Sequence, residues 1–125
     1  MFDHVKFGVS DYAVSKAFFL KALEPLGVTM GAEGPPTYGV ELCTATSQAS
    51  LCLYQTDATP APLHLAFTAA NRQQVEAFYR AALAAGGQDH GAPGLRPQYH
   101  PHYFAAFVIG PDGHNIEAVC HQPEA

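Results

Sequence analysis

HVKFGVSDYAVSKAFFLKALEPLG, from His4 to Gly27, and HLAFTAANRQQVEAFYRAALAAGG, from His64 to Gly87, are two versions of one pattern. A shift of 60 residues lays one on the other without a gap and makes seven pairs identical: His4/His64, Phe7/Phe67, Ala17/Ala77, Phe18/Phe78, Ala22/Ala82, Leu23/Leu83 and Gly27/Gly87. Ordinary amino-acid usage would give roughly one or two matches in a window of that size. The chain therefore reads as a duplicated unit, and a fixed internal period decides the fold before any single element is assigned.

Each copy opens with a short strand-like run, DHVKFGV or LHLAFTA. Asp11 or Asn71 follows, residue types that cap a helix by accepting the free N–H groups of its first turn. Apolar residues then recur at Val14, Ala17, Phe18 and Ala22, and at Val75, Phe78, Tyr79, Ala82 and Leu83, which predicts one buried stripe per helix. Gly27 and the Gly86-Gly87 pair stand where a helix ends on a left-handed residue.

Turn-rich stretches come next, GAEGPP in the first copy and HGAPGLRP in the second. Strand-like pairs follow them: YGVELCT with SLCLYQT, and YFAAFVI with NIEAVCH, the last two joined at Gly110-Pro111-Asp112-Gly113. With weaker strands near Val28–Met30 and Gln88–His90, the order is βαβββ twice. The expected fold is α+β, two tandem modules forming a curved mixed sheet around a cavity. Module 1 covers about residues 1–56, a linker 57–62, and module 2 about 63–122.

Composition narrows the function. With 125 residues and 48% apolar content the chain can bury a core as one domain. A net charge of −5, with six Lys and Arg scattered singly, gives no footprint for a phosphate backbone, so no nucleic-acid partner is expected. No run approaches the roughly 18 apolar residues of a membrane span, and the charged start MFDHVKFGVSDY does not resemble a signal peptide; a cytoplasmic protein without a membrane partner is expected. Cys43, Cys52 and Cys120 are odd in number and lack CxxC spacing, which points to reduced thiols.

Seven histidines are many for this length, and position discriminates among them. His4 and His64 occupy matching points of the two first strands. Period-two alternation puts Lys6 and Gly8 on the face of His4, and Ala66 and Thr68 on that of His64, with Phe7 and Phe67 turned to the helices. Glu117 stands between Ile116 and Ala118, a carboxylate in an apolar strand that is costly to bury without a partner. Two imidazoles and a carboxylate suit ferrous iron or zinc.

HVKFGVSD, HLAF and YFAAFVIGPDGHNIEAV together resemble the signature strands of the glyoxalase/bleomycin-resistance/dioxygenase (vicinal oxygen chelate) superfamily, over nearly the whole chain. The resemblance implies one divalent metal ion (Zn, Fe, Mn or Ni) at the module interface, held by His4, His64 and Glu117. It also implies a small-molecule substrate, a thiol cosubstrate such as glutathione in some members, and a homodimer, side by side or module-swapped. One departure matters: lactoylglutathione lyases of the family carry a fourth, acidic ligand where this chain has Cys52. The three-ligand pattern is closer to extradiol dioxygenases or fosfomycin-type thiol transferases.

Other candidates lie nearby in sequence. Tyr103 and His121 are candidate proton-transfer groups beside Glu117, His121 being four residues further along the same strand face. Arg96, Tyr99, His100 and His102 crowd the segment RPQYHPHY as candidate substrate contacts, Arg96 for an anionic group, and Cys52 is a candidate contact in the first module. His90 and His114 read as surface residues. Three functions stay open. The first is a metal-dependent lyase, isomerase, dioxygenase or thiol transferase acting on an oxygen-chelating substrate. The second is a metal-free drug- or metabolite-binding protein of bleomycin-resistance type, and the third a structural module with a vestigial site.

Overall fold

The computed structural model describes residues 1–58 and 61–124. Each module runs strand, helix, three strands. β1 (His4–Val9), α1 (Tyr12–Leu23), β2 (Thr29–Glu33), β3 (Val40–Cys43) and β4 (Ser50–Gln55) form the first. β5 (His64–Thr68), α2 (Arg72–Ala84), β6 (Gln88–Leu95), β7 (Phe104–Ile109) and β8 (Asn115–Cys120) form the second. Each builds one four-stranded sheet, ordered β1-β4-β3-β2 and β5-β8-β7-β6. The first strand of each module lies parallel to the last, and the other neighbours are antiparallel. This is the tandem βαβββ architecture of the duplicated sequence. Of the expected linker, residues 59 and 60 lie outside the described residues.

The helix caps form as the residue types require. Asp11 accepts from the Val14 N–H at 3.1 Å and Asn71 from the Gln74 N–H at 2.8 Å. Gly27, with φ 83°, closes the one-turn 3-10 helix Glu24–Leu26 that continues α1.

α1, however, buries a different stripe from the expected one. Tyr12, Ser15, Phe18, Phe19, Ala22 and Leu23 face inward, while Val14 is 53% exposed and Ala17 also faces solvent. Tyr12 sets that phase. Its N–H donates to Gln55 Oε1 at 2.9 Å and its hydroxyl to Glu33 Oε2 at 2.5 Å, tying the first turn to β4 and β2. α2 follows its expected stripe, with Val75, Phe78 and Ala82 fully buried. The segment HGAPGLRP is mostly strand, not turn, because β6 runs to Leu95. Its glycines coincide with irregular pairing to β7, the register shifting on both sides of Gly91.

The modules join through their helical sides. α1 packs on α2, and the Ser10 N–H donates to Asp112 Oδ2 at 3.0 Å. His114, expected at the surface, is fully buried in this seam. Its Nδ1 accepts from the Leu63 N–H at 2.9 Å, and its ring stands edge-on to Phe7 with centroids 5.0 Å apart. The turn before it is tied to Ser10 through Asp112 and so lies in the seam, and sequence proximity to a turn did not mean exposure. His90 is exposed.

The sheets end on β1 and β2 in the first module and on β5 and β6 in the second, and the first strands, β1 and β5, leave matching edges. In the parallel ladders the odd-numbered residues carry the bonds: Asp3 and Val9 of the first module accept from β4 and its continuation, and in the second Leu63 accepts from β8 while the Ala69 N–H donates to Val119. The backbone groups of His4, Lys6 and Gly8, and of His64, Ala66 and Thr68, therefore point away from the sheets. Among the described residues no strand pairs with either edge. Beside the β5 edge lies a hollow of about 840 Å³ walled by Val5, Leu26, Leu42, Leu51, Leu65 and Phe67.

Candidate functional site

On the open face of the second sheet, register sets the geometry. Ala66, Glu117 and Phe107 are cross-strand neighbours, so His64, Glu117 and Phe107 emerge on the same side, opposite the helix-packed Ile116 and Ala118. Glu117 is only 2% exposed although it lies in the middle of β8. Both its oxygens are engaged: His64 Nε2 lies 2.8 Å from Oε1, and the Tyr103 hydroxyl donates a short hydrogen bond to Oε2. Those two groups supply the partners that a buried carboxylate demands. Tyr103 sits immediately before β7, not within it.

Burial beside this carboxylate pushes the Tyr103 phenol up to about 12, desolvation being the first cause and the hydrogen bond and charge of Glu117 the next. The phenol therefore holds its proton at neutral pH and acts as a donor. Around it the segment preceding β7 and the end of β8 converge. His121 lies 5.2 Å from the Tyr103 ring and 5.8 Å from that of His100, Tyr99 is 5.1 Å from Tyr103, and His102 is 5.7 Å from His100. Arg96 lies over the Phe107 ring at 5.4 Å and donates to the Ala92 carbonyl at 2.9 Å. Of the expected site residues of the second module, His64 and Tyr103 touch Glu117, Tyr99 and His121 pack on Tyr103, His100 and His102 follow behind His121, and Arg96 lies on Phe107.

The first module's candidates are elsewhere. His4 is 57% exposed on the side chain and pairs with its neighbour Asp3 at 2.6 Å. Cys52 occupies the place in β4 that Glu117 has in β8: Lys6 is its cross-strand partner as Ala66 is that of Glu117. Among the described residues no three His, Cys, Asp or Glu side chains converge as a metal-binding group. His64 and Glu117 make a pair of donors, and one chain does not bring His4 to them. The 840 Å³ hollow runs along the β5 edge, where His64, Ala66 and Thr68 line it together with Leu65 and Phe67, and it touches neither Glu117 nor Tyr103. Sequence reading missed that hollow because its walls are ordinary core residues left uncovered.

A two-module α+β domain with a His–Glu–Tyr constellation on an open sheet face is the class that fold and site define. The profile of the Glyoxalase/Bleomycin resistance protein/Dioxygenase superfamily matches residues 1–118, and the chain belongs to that family. A glyoxalase/bleomycin resistance protein from Albidiferax ferrireducens T118 is 29% identical, covers 98% of this chain with 99% of its own, and superposes with a TM-score of 0.78. A family enzyme from Burkholderia phytofirmans PsJN, at 15% identity, shares the fold with a TM-score of 0.74 over 96% of this chain and 98% of its own. So does the oxidase ChaP-H2, at 19% identity and a TM-score of 0.69 over 100% and 95%. No curated protein sequence matches the chain significantly.

Proposed function

We propose that this protein is a metal-dependent enzyme of the glyoxalase/dioxygenase family, acting on a small substrate with chelating oxygens, and that its site is completed between two copies of the chain. The observation that carries the reading is the buried Glu117 carboxylate held between His64 and Tyr103 on an otherwise open face. His64 Nε2 and Glu117 Oε1 are 2.8 Å apart, close to the roughly 3 Å between neighbouring ligands that each lie about 2.1 Å from a small divalent cation. Their chemistry fits two places of a two-His-one-carboxylate set. His4 fits the third if it comes from a second copy, since in its own chain it points to Asp3.

A divalent ion there would supply Lewis-acid stabilisation of an oxyanion on the substrate. The chain's own residues do the rest. Glu117 and His64 bind and orient. Tyr103 keeps its single proton, and on turning it from Glu117 to the substrate it donates a hydrogen bond where negative charge develops. His121, exposed and edge-on against Tyr103, is the imidazole placed to move a proton to or from the substrate. Tyr99, His100, His102 and Arg96 line the approach and contact substrate. Cys52 lies on the corresponding open face of the first module, beside Lys6.

Three features support pairing of two copies. The β1 and β5 edges are both unpaired, their free groups fall in the same phase of the repeat, and an apolar hollow borders one of them. A two-fold dimer covers both edges at once. A second reading, a metal-free small-molecule binder, draws on the outward position of His4.

Elemental analysis of tag-free protein separates the two. The enzyme reading expects near-stoichiometric Zn, Fe, Mn or Ni, retained after dialysis and reduced at least about tenfold in affinity by Glu117→Gln. Protein that takes up none of these ions on reconstitution, yet binds its ligand, would establish the binder instead.

A further inference from the structure

The open face of the first module carries a charge and two rings that the His64–Glu117–Tyr103 constellation does not use. Lys6 extends from β1 with Nζ 5.0 Å from the centre of the Tyr38 ring and 5.4 Å from that of Tyr54. Among the described residues it makes no salt bridge. The nearest acid by register, Glu41 on β3, is two strands away, and its carboxylate leans to Gly31 on the far side, where an added Cβ would lie 2.6 Å from its Oε1. The ammonium is thus held over two ring faces and left without a counter-charge.

Both rings are set by glycines. Tyr54 is the cross-strand partner of Gly8, where a Cβ would stand 2.4 Å from Thr56 Cγ2 and 3.3 Å from the Tyr54 ring. The missing side chain lets the ring lie across β1. Tyr38 is presented by the turn between β2 and β3, where the N–H groups of Tyr38 and Gly39 both donate to the Pro35 carbonyl at 2.8 Å. Gly39 has φ 101°, and a Cβ there would overlap the Leu53 carbonyl, so no other residue fits the turn. The result is a Tyr38 that is 64% exposed on a turn whose backbone is fixed.

The two modules have diverged in opposite senses. At the places of Lys6, Cys52 and Tyr54 the second module has Ala66, Glu117 and Val119. One open face is cationic and aromatic, the other acidic and imidazole-rich.

We propose that the first module's open face is the substrate-selecting wall, and that it takes a planar aromatic ring bearing an anionic oxygen group, carboxylate or phenolate. The ring lies against Tyr54 and Tyr38, and the anion meets the Lys6 ammonium. This rests on the reading above in one respect: the wall meets the His64–Glu117 pair only across the interface of two copies.

The test is titration of the full chain with salicylate, followed by its own fluorescence. Cyclohexanecarboxylate serves as an anion without an aromatic ring, and benzyl alcohol as a ring without a charge. Salicylate is expected to bind at least about tenfold more tightly than either control. Lys6→Met should weaken salicylate by at least about tenfold, Lys6→Arg should restore most of it, and Tyr54→Leu should weaken it with charge intact. Lys6 is exposed, so an unchanged melting curve shows that these losses are not unfolding.

Failure of salicylate to bind the unaltered protein, or binding indifferent to Lys6, overturns the proposal. Metal content and mass measured on the same samples keep the two readings apart. A metal-free monomer that loses salicylate with Lys6→Met sinks the enzyme reading and leaves this wall standing. A metal-loaded dimer indifferent to Lys6 does the reverse.

Discussion

His114 shows how much a single side chain holds in this protein. It is fully buried where β8 begins, its Nδ1 accepts from Leu63 at the start of β5, and its ring abuts Phe7 of β1. Because Nδ1 is an acceptor, the neutral ring carries its proton on Nε2, which has no hydrogen-bond partner. Burial lowers the pKa below 6.5, and the nearby Asp112 opposes that only in part. A depressed histidine stabilises the fold above its unfolded value, and that contribution is lost as pH falls from about 6.5 through the folded value. Stability measured by denaturant should therefore drop from pH 7 to pH 5 more steeply than in His114→Gln, which keeps an acceptor but does not titrate. Parallel slopes in the two proteins would dismiss this role. At the same scale Glu117 was legible in the sequence as an acid needing a partner, while its partner Tyr103 was legible only as a candidate. Nothing local told that the Tyr103 hydroxyl turns toward the carboxylate.

At the scale of elements, the helices are defined by local chemistry and the strands by pairing. Asn71 begins α2 with a side-chain bond of 2.8 Å to the Gln74 N–H. Asn71→Ala should cost about 1 kcal/mol of unfolding free energy and Asn71→Asp much less, because only the former removes the capping oxygen. Equal losses in equilibrium denaturation would place the role of Asn71 elsewhere. α1 illustrates where period reading fails. Its apolar residues surround the helix, so several stripes fit, and the bonds of Tyr12 to Gln55 and Glu33 choose among them. Those partners lie 43 and 21 residues away in the chain. β6 was hidden for a related reason: glycine and proline read as turn, yet the β7 edge recruits them as an irregular strand.

At the scale of the molecule, the matching unpaired edges of β1 and β5 predict the assembly. Static light scattering should give about twice the 13.3 kDa of one chain. The Ala66 N–H faces away from β8, so Ala66→Pro removes no hydrogen bond within the chain but blocks a strand from adding to that edge. That variant should keep its circular dichroism spectrum and run as a monomer with weakened metal binding. A monomeric unaltered protein would exclude a site shared between copies.

The duplication, visible as a 60-residue shift, determined by itself the number of modules, the order of their elements and the capped starts of both helices. Caps, glycine stops and period-two alternation depend on neighbours within a few residues, so they are written locally. The faces of His64 and Glu117 were also readable, because register within a strand alternates strictly. Only the tertiary structure decided which residues meet. It buried His114 in the seam, drew Tyr103 to Glu117, left His4 apart from them on the other module, and left the β1 and β5 edges and an apolar hollow uncovered. Those outcomes depend on how the helical sides of the two modules pack, and that packing is settled by shape and long-range contacts that no short window of sequence contains.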